Sequence, residues 1–245
     1  MNDPVAVFRA LHHDRTPGDP LVLPGPWDAA SARAFEEAGF PALATPSAGV
    51  AASLGHADGR TPAAEMFAAV ARIAGAVSVP VSADVEAGYG LAPAELVERL
   101  LEAGVVGCNL EDSAGGVLLD PREQADRLAG VLDAADGRLF VNARVDTYVR
   151  ALPDGTDVIA ETVGRARLYA AAGAECVYPI GAPADHLPRL AAGVTVPLNA
   201  HGTPDDPSGT RRLGELGAAR ITFGPLLQRC ATDAVRDLAA RLRTG

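Results

Sequence analysis

The chain has 245 residues, 48% of them hydrophobic and 4% aromatic, and 31 acidic against 21 basic side chains leave a formal charge of −10. All 21 basic residues are arginine, which excludes Schiff-base and pyridoxal chemistry, both needing a lysine amine, and a Walker-type phosphate loop ending in Gly-Lys. The acidic excess is the reverse of what a nucleic-acid backbone or an anionic membrane surface selects, so an anionic substrate needs a local arginine or a metal cation.

The N-terminal stretch MNDPVAVFRALHHDR has no basic region followed by a long apolar one, and no run reaches the roughly 18 apolar residues of a membrane span; a soluble, cytoplasmic protein is expected. A first strand is read at residues 21–23, and Asp28 before AASARAFEEA marks a helix start. EEAGFPALATPS (36–47) then runs from a helix through glycine into an apolar strand, and the phrase recurs as LEAGVVGCNLEDS (101–113), AAAGAECVYPIG (171–181) and GELGAARITFGP (214–225). In each, glycine stands where a helix C-cap needs positive φ. Further strands are read at 80–83, 139–143 and 194–199. Helix starts fall at Thr61-Pro62, Pro93 and Asp120-Pro121, and a last helix spans 225–243. The total is eight βα units with near-continuous apolar strands, the pattern of one parallel (β/α)8 TIM barrel over residues 1–245. A doubly wound sheet is the competing fold, but no GxGxxG follows the first strand. Cys108, Cys176 and Cys230 lack CxxC spacing and are read as reduced core residues.

Barrel chemistry gathers at the C-terminal ends of the strands. Those ends carry Thr45 and Ser47, then Asp84 and Glu86, then Asn109, Glu111 and Asp112, then Asn142, Arg144 and Asp146, then Tyr178, and last Asn199 and His201. Asp84 and Glu86, two apart, are expected on one strand face, converging with Glu111. Such an oxygen-rich set favours Mg2+ or Mn2+ over Zn2+, the competing reading being caps and arginine pairs. Arg144 closes an apolar strand either as a clamp for a substrate carboxylate or as a structural partner of Asp146 or Glu111. Ser47-Ala48-Gly49 is read as a small-residue turn whose amides could hold a carboxylate. His201 and Tyr178 are proton-donor candidates or plain rim residues.

PSAGVAASLGHADG (46–59), VPVSADVEAGYG (79–90), GCNLEDS (107–113) and NARVDTYV (142–149), in this order, resemble the isocitrate lyase and phosphoenolpyruvate mutase superfamily over about residues 8–229. The resemblance implies a TIM barrel, a homo-oligomer (dimer or tetramer), and Mg2+ held by Asp84 and Glu86, with Glu111 and Asp58 reached through its water shell. It implies that Ser47, Ala48 and Gly49 bind a substrate carboxylate and Arg144 a second anionic group, with Asn199 and Ser113 as further substrate contacts. The activity it implies acts on small dianionic 2-oxo or 2-hydroxy acids through a metal-bound enolate. The loop after the fourth strand, EDSAGGVLLDPRE, departs from the Lys-x-Cys-Gly-His stretch of the isocitrate and methylisocitrate lyases and from the Lys, Asn and Ser of the phosphomutases, keeping only Ser113. A Mg2+-dependent lyase of the oxaloacetate decarboxylase kind is therefore the first expectation, with Tyr89, Tyr178 or His201 left for proton transfer. P–C bond chemistry is the alternative, and a non-catalytic 2-oxo-acid-binding barrel the alternative of another class.

Overall fold

Gly39, Gly104, Gly173 and Gly217 of the four repeated phrases have φ of 89°, 77°, 105° and 105°, ending each helix in the left-handed conformation its C-cap needs. The computed structural model describes residues 3–13, 15–206 and 208–244. In chain order the elements are α1 (Pro4–His12), β1 (Leu21–Val22), α2 (Ala29–Glu37), β2 (Leu43–Thr45), α3 (Ser47–Leu54), α4 (Ala63–Ala74), β3 (Val81–Asp84), α5 (Pro93–Glu102), β4 (Gly107–Glu111), β5 (Ser113–Ala114) and β6 (Val117–Leu118). Then come α6 (Pro121–Ala135), β7 (Phe140–Val145), α7 (Val158–Ala171), β8 (Cys176–Pro179), α8 (Leu187–Gly193), β9 (Asn199–His201), α9 (Gly209–Glu215), β10 (Arg220–Thr222) and α10 (Leu226–Thr244). Asp28 and Ser31 form a reciprocal capping box on α2, and Asp120 and Asp157 accept from the first-turn amides of α6 and α7. Each satisfies amides that a helix start leaves without partners.

The sheet is parallel and curled. Strands β2-β3-β4-β7-β8 form one five-stranded run and β1-β10-β9 a three-stranded one. The runs meet at two seams, the parallel bridge Val177↔Leu198 and a bond from the Ala44 N–H to the Pro24 carbonyl at 3.1 Å. Every residue of β7 is buried, as expected of a parallel strand covered on both faces. Helices α4 to α7 pack Val70, Leu96, Leu128 and Ile159 onto the outer face of the sheet in one continuous apolar cluster.

A second cluster, with Val5, Phe8, Leu21, Phe140 and Cys176, lies at the end where the strands begin, under α1. There Phe8 meets Phe140 edge-on at 5.3 Å and His12 stacks on Phe140 at 4.2 Å. The fully buried Arg220 reaches His12 Nε2 at 3.4 Å and Asn109 Oδ1 at 3.3 Å, with its guanidinium 6.0 Å from the Phe8 ring centre. Burial and this cation push the His12 imidazole down to about 3, so it faces Arg220 neutral.

Several expectations are corrected. The strand read at 194–199 instead spans Asn199–His201; Pro197 has no N–H for a ladder and contributes only its carbonyl, which accepts from Val177. Ser47-Ala48-Gly49 is not a turn but the first turn of α3. The loop after β4 holds an antiparallel hairpin, β5-β6, turned by Gly115 and Gly116 at φ of 58° and 85°. Cys108 and Cys176 are buried as read, but Cys230 is exposed on α10. Among the described residues no helix is long and apolar enough to cross a membrane.

Candidate functional site

At the C-terminal ends of the strands a cavity of about 700 Å³ is lined by Asp84, Glu86, Glu111 and Arg144, by Ser47 and Ala48, by Asp58 and Arg60, and by Tyr89 and Arg150. Strand register assembles much of it. Pairing of β4 with β7 sets Glu111 directly opposite Arg144, and pairing of β3 with β4 brings Asp84 beside them at Asn109. Glu86 joins by a different route from the one expected. It lies beyond β3 with φ of 51°, and Tyr89 follows at 55°, so a left-handed turn, rather than strand alternation, swings both into the cavity. Asp84 Oδ1 accepts from the Glu86 N–H at 3.1 Å, which secures that turn. Non-glycine residues in this conformation cost on the order of 1–3 kcal/mol each and persist where surrounding structure holds them.

Arg144 is tied down on three sides. Its Nε and Nη2 donate to Asp146 Oδ1 and Oδ2 at 2.7 and 3.0 Å, Nη2 lies 2.5 Å from Glu111 Oε2, and Nη1 lies 3.7 Å from Asp84 Oδ2. Both structural pairings considered for Arg144 are thus present together, and the side chain also lines the cavity. Burial opposes its charge, but Asp84, Asp146 and Glu111 more than offset that and hold the guanidinium above its ordinary value. Asp146, fully buried, also accepts from Ser113 Oγ at 2.5 Å. Below it Asp112 accepts from the Asp146 N–H at 2.8 Å, from the Tyr169 hydroxyl at 2.7 Å and from Arg165 at 3.1 Å.

The acids outnumber that cation. Burial, with Asp84 and Asp58 nearby, pushes the Glu86 carboxyl up to about 7. Burial also raises Glu111 to about 8 despite Arg144, and lifts Asp84 above the usual carboxylate range. Glu86 Oε1 is buried with no hydrogen-bond partner. A divalent cation fits this set, since it would satisfy the orphaned oxygen and favour the ionised acids. Among the described residues no group of three or more His, Cys, Asp or Glu side chains is placed to hold a metal ion by itself.

At the opposite wall, the N–H groups of Ser47, Ala48 and Gly49 precede the first intrahelical bond of α3, from the Val50 N–H to the Pro46 carbonyl. The positive end of the helix dipole therefore faces the cavity at Ser47 and Ala48. Gly49 lies behind, where a Cβ would come within 2.9 Å of the Pro46 ring.

The Tyr89 hydroxyl is buried without a partner, and burial together with Glu86, Asp84, Glu111 and Asp58 raises its pKa, so it stays protonated. Tyr178 and His201 share a hydrogen bond at 3.0 Å and are absent from the cavity wall. Asn199 is buried and donates to Thr222 Oγ1 at 3.0 Å, and Ser113 serves Asp146; neither lines the cavity. Reading strand ends missed Arg60 and Arg150, which come from loops beyond them. A separate cavity of about 420 Å³ between α4 and α5 holds Glu95, Arg99 and Glu102, which pair with one another.

Comparison with known proteins places this geometry. The family profile described as phosphoenolpyruvate phosphomutase matches residues 8–243. The uncharacterised protein Rv1998c of Mycobacterium tuberculosis strain H37Rv is 36% identical over 219 residues, 89% of this chain and 81% of that one. The oxaloacetate decarboxylase of Bradyrhizobium sp. strain ORS 278 is 29% identical over 246 residues, 93% of this chain and 82% of its own. A solved structure from Burkholderia cenocepacia J2315, provisionally named a phosphonomutase, superposes with a TM-score of 0.86 at 38% identity, covering 100% of this chain and 99% of that one.

Proposed function

The chain belongs to the phosphoenolpyruvate phosphomutase family of the isocitrate lyase superfamily, and from that membership and the cavity we propose a Mg2+-dependent lyase that cleaves a C–C bond in a small dianionic 2-oxo acid of the oxaloacetate kind. One observation carries the reading. A helix N-terminus, an acid cluster with an orphaned carboxylate oxygen and the arginine paired to that cluster line a single cavity. The two parallel sheets and their seams support the expected eight-stranded barrel as the frame.

Asp84 and Glu86 would hold Mg2+, with Glu111 and Asp58 through its waters; when bound, the ion draws electrons from the 2-oxo group. The amides of Ser47 and Ala48 receive the adjacent carboxylate, with Gly49 keeping that turn close to Pro46. Arg144, oriented by Asp146 and Glu111, presents its positive charge where negative charge grows on the substrate. In decarboxylation the C3–C4 bond breaks, CO2 leaves, and its electron pair enters the 2-oxo group as a pyruvate-type enolate. The protonated Tyr89 hydroxyl then supplies the proton to the methylene carbon and is reprotonated from solvent. The Tyr178–His201 pair stands outside the cavity wall and takes no part in this step.

The test is a panel of oxaloacetate, substituted malates, methylisocitrate and phosphonopyruvate with Mg2+ and with chelator, followed by pyruvate release and by 31P NMR. Mg2+-dependent pyruvate from C–C substrates alone supports the reading. Turnover confined to phosphonopyruvate transfers it to P–C chemistry, which the 38% identity to a protein provisionally named a phosphonomutase favours. Ligand stabilisation with no product from any acid would leave a binding protein and sink the lyase.

A further inference from the structure

Three guanidiniums line the cavity, those of Arg60, Arg144 and Arg150; Arg60 is exposed, and of the two sheltered ones the one with donors to spare is not the one that strand-end reading selects. Arg144 has its Nε/Nη2 edge closed by Asp146 at 2.7 and 3.0 Å, and Nη2 meets Glu111 as well. What remains is Nη1, 3.7 Å from Asp84. A planar two-bond grip on a substrate carboxylate needs two parallel N–H groups, and Arg144 has already given its pair to the protein.

Arg150 is built differently. Its backbone N–H donates to the Asp146 carbonyl at 3.0 Å, and its Nε donates to Ser113 Oγ at 3.1 Å, so the side chain is anchored at its root and at Nε. Its terminal nitrogens make only weak contacts. Nη1 lies 3.5 Å from the Val149 carbonyl, and Nη2 lies 3.7 Å from Asp146 Oδ2. Arg150 lines the cavity beside Ala114, Gly115 and Gly116 of the hairpin, and its side chain is 29% exposed, enough to meet a ligand while sheltered from bulk solvent. Asp146 thus lies between two guanidiniums, closing the Nε/Nη2 edge of one and leaving the outer fork of the other open.

We infer that Arg150 is the specificity-determining residue that grips the distal anionic group of the substrate, so that the protein selects 2-oxo diacids over 2-oxo monoacids. The assignment rests on the proposed function, because it needs the 2-oxo end of the substrate at the acid cluster.

The experiment is calorimetric binding to the Mg2+-loaded protein without turnover. The probes are oxalate, which has no distal group, and the matched pair 2-oxoglutarate and 2-oxovalerate, which share a chain length and differ by the distal carboxylate. The wild-type protein is expected to prefer the diacid at least tenfold. Arg150→Gln should erase that preference while oxalate affinity stays within twofold, and Arg150→Lys, which keeps the charge without the fork, should recover only part of it. A diacid preference that survives in Arg150→Gln overturns the assignment alone. Equal weakening of oxalate and diacid overturns it too, marking Arg150 as a support for Ser113 and Asp146. A wild-type protein that binds none of the probes with Mg2+ overturns the functional reading, and the assignment with it.

Discussion

Replacing Asp146 by Asn keeps the volume of the side chain and removes the charge on which two arginines converge. Asp146 is fully buried, and its oxygens accept from Arg144 Nε at 2.7 Å, Arg144 Nη2 at 3.0 Å and Ser113 Oγ at 2.5 Å. An amide has one acceptor oxygen, so whichever way it turns, its NH2 faces a donor. Breaking a buried ion pair from one side costs about 3–5 kcal/mol. Here Arg144 keeps Glu111 at 2.5 Å, and Asp84 and Glu111 lose a like-charged neighbour, which both point to the lower bound of roughly 3 kcal/mol. At about 2–4 °C per kcal/mol for a chain of this size, the melting temperature should fall by roughly 6–12 °C. Scanning calorimetry in chelator measures this without interference from a bound ion. A fall below about 2 °C would refute the view that Asp146 carries the site's arginines, since the loss would then be under about 1 kcal/mol.

Three more outcomes follow from the same geometry. Asp84→Ala should abolish Mg2+ binding by calorimetry and turnover in the panel, while its melting temperature in chelator holds or rises because a like-charged wall is relieved; retained Mg2+ binding would refute the metal assignment. Glu86 and Glu111 titrate near 7 and 8 against an ordinary 4.5, so the folded metal-free protein holds more protons than the unfolded chain between those values. Its stability should therefore decline as pH rises from about 5 to 8, and Glu86→Gln should flatten that slope in melts across the range. Gly107→Ala would set a Cβ 2.6 Å from the Phe140 carbonyl on the neighbouring strand, and denaturant melts should show a loss of about 1–3 kcal/mol from overpacking.

What could be read from residues alone depended on whether the signal was local. The glycines that end helices and the aspartates that begin them act within a few residues, and Gly39, Gly104, Gly173, Gly217, Asp28 and Asp120 all took the conformations their types dictate. Helix α3 escaped because Pro46 offers no side-chain cap and its small residues read as a turn. The β5-β6 hairpin is only two residues on each side, too short for a periodic pattern. In the site, the strand-end rule found Asp84, Glu111 and Arg144, and it found Glu86 for the wrong reason. Arg150 was out of reach because its position depends on a turn folding back onto Asp146, a contact that no spacing announces.

The closed end under α1 has a consequence for how the protein is made. His12 and Arg220 lie 208 residues apart in the chain, and β1 pairs with β10, so α1 and β1 leave the ribosome well before the segment they await. At about 5–20 residues per second that wait is roughly 10–40 s. A nine-residue helix such as α1 is marginal in isolation, and through this interval Leu21 lacks the strand β10 with which it pairs. An apolar segment therefore stays exposed through that interval, and yield in a cell depends on keeping it out of non-native contacts until residue 220 arrives.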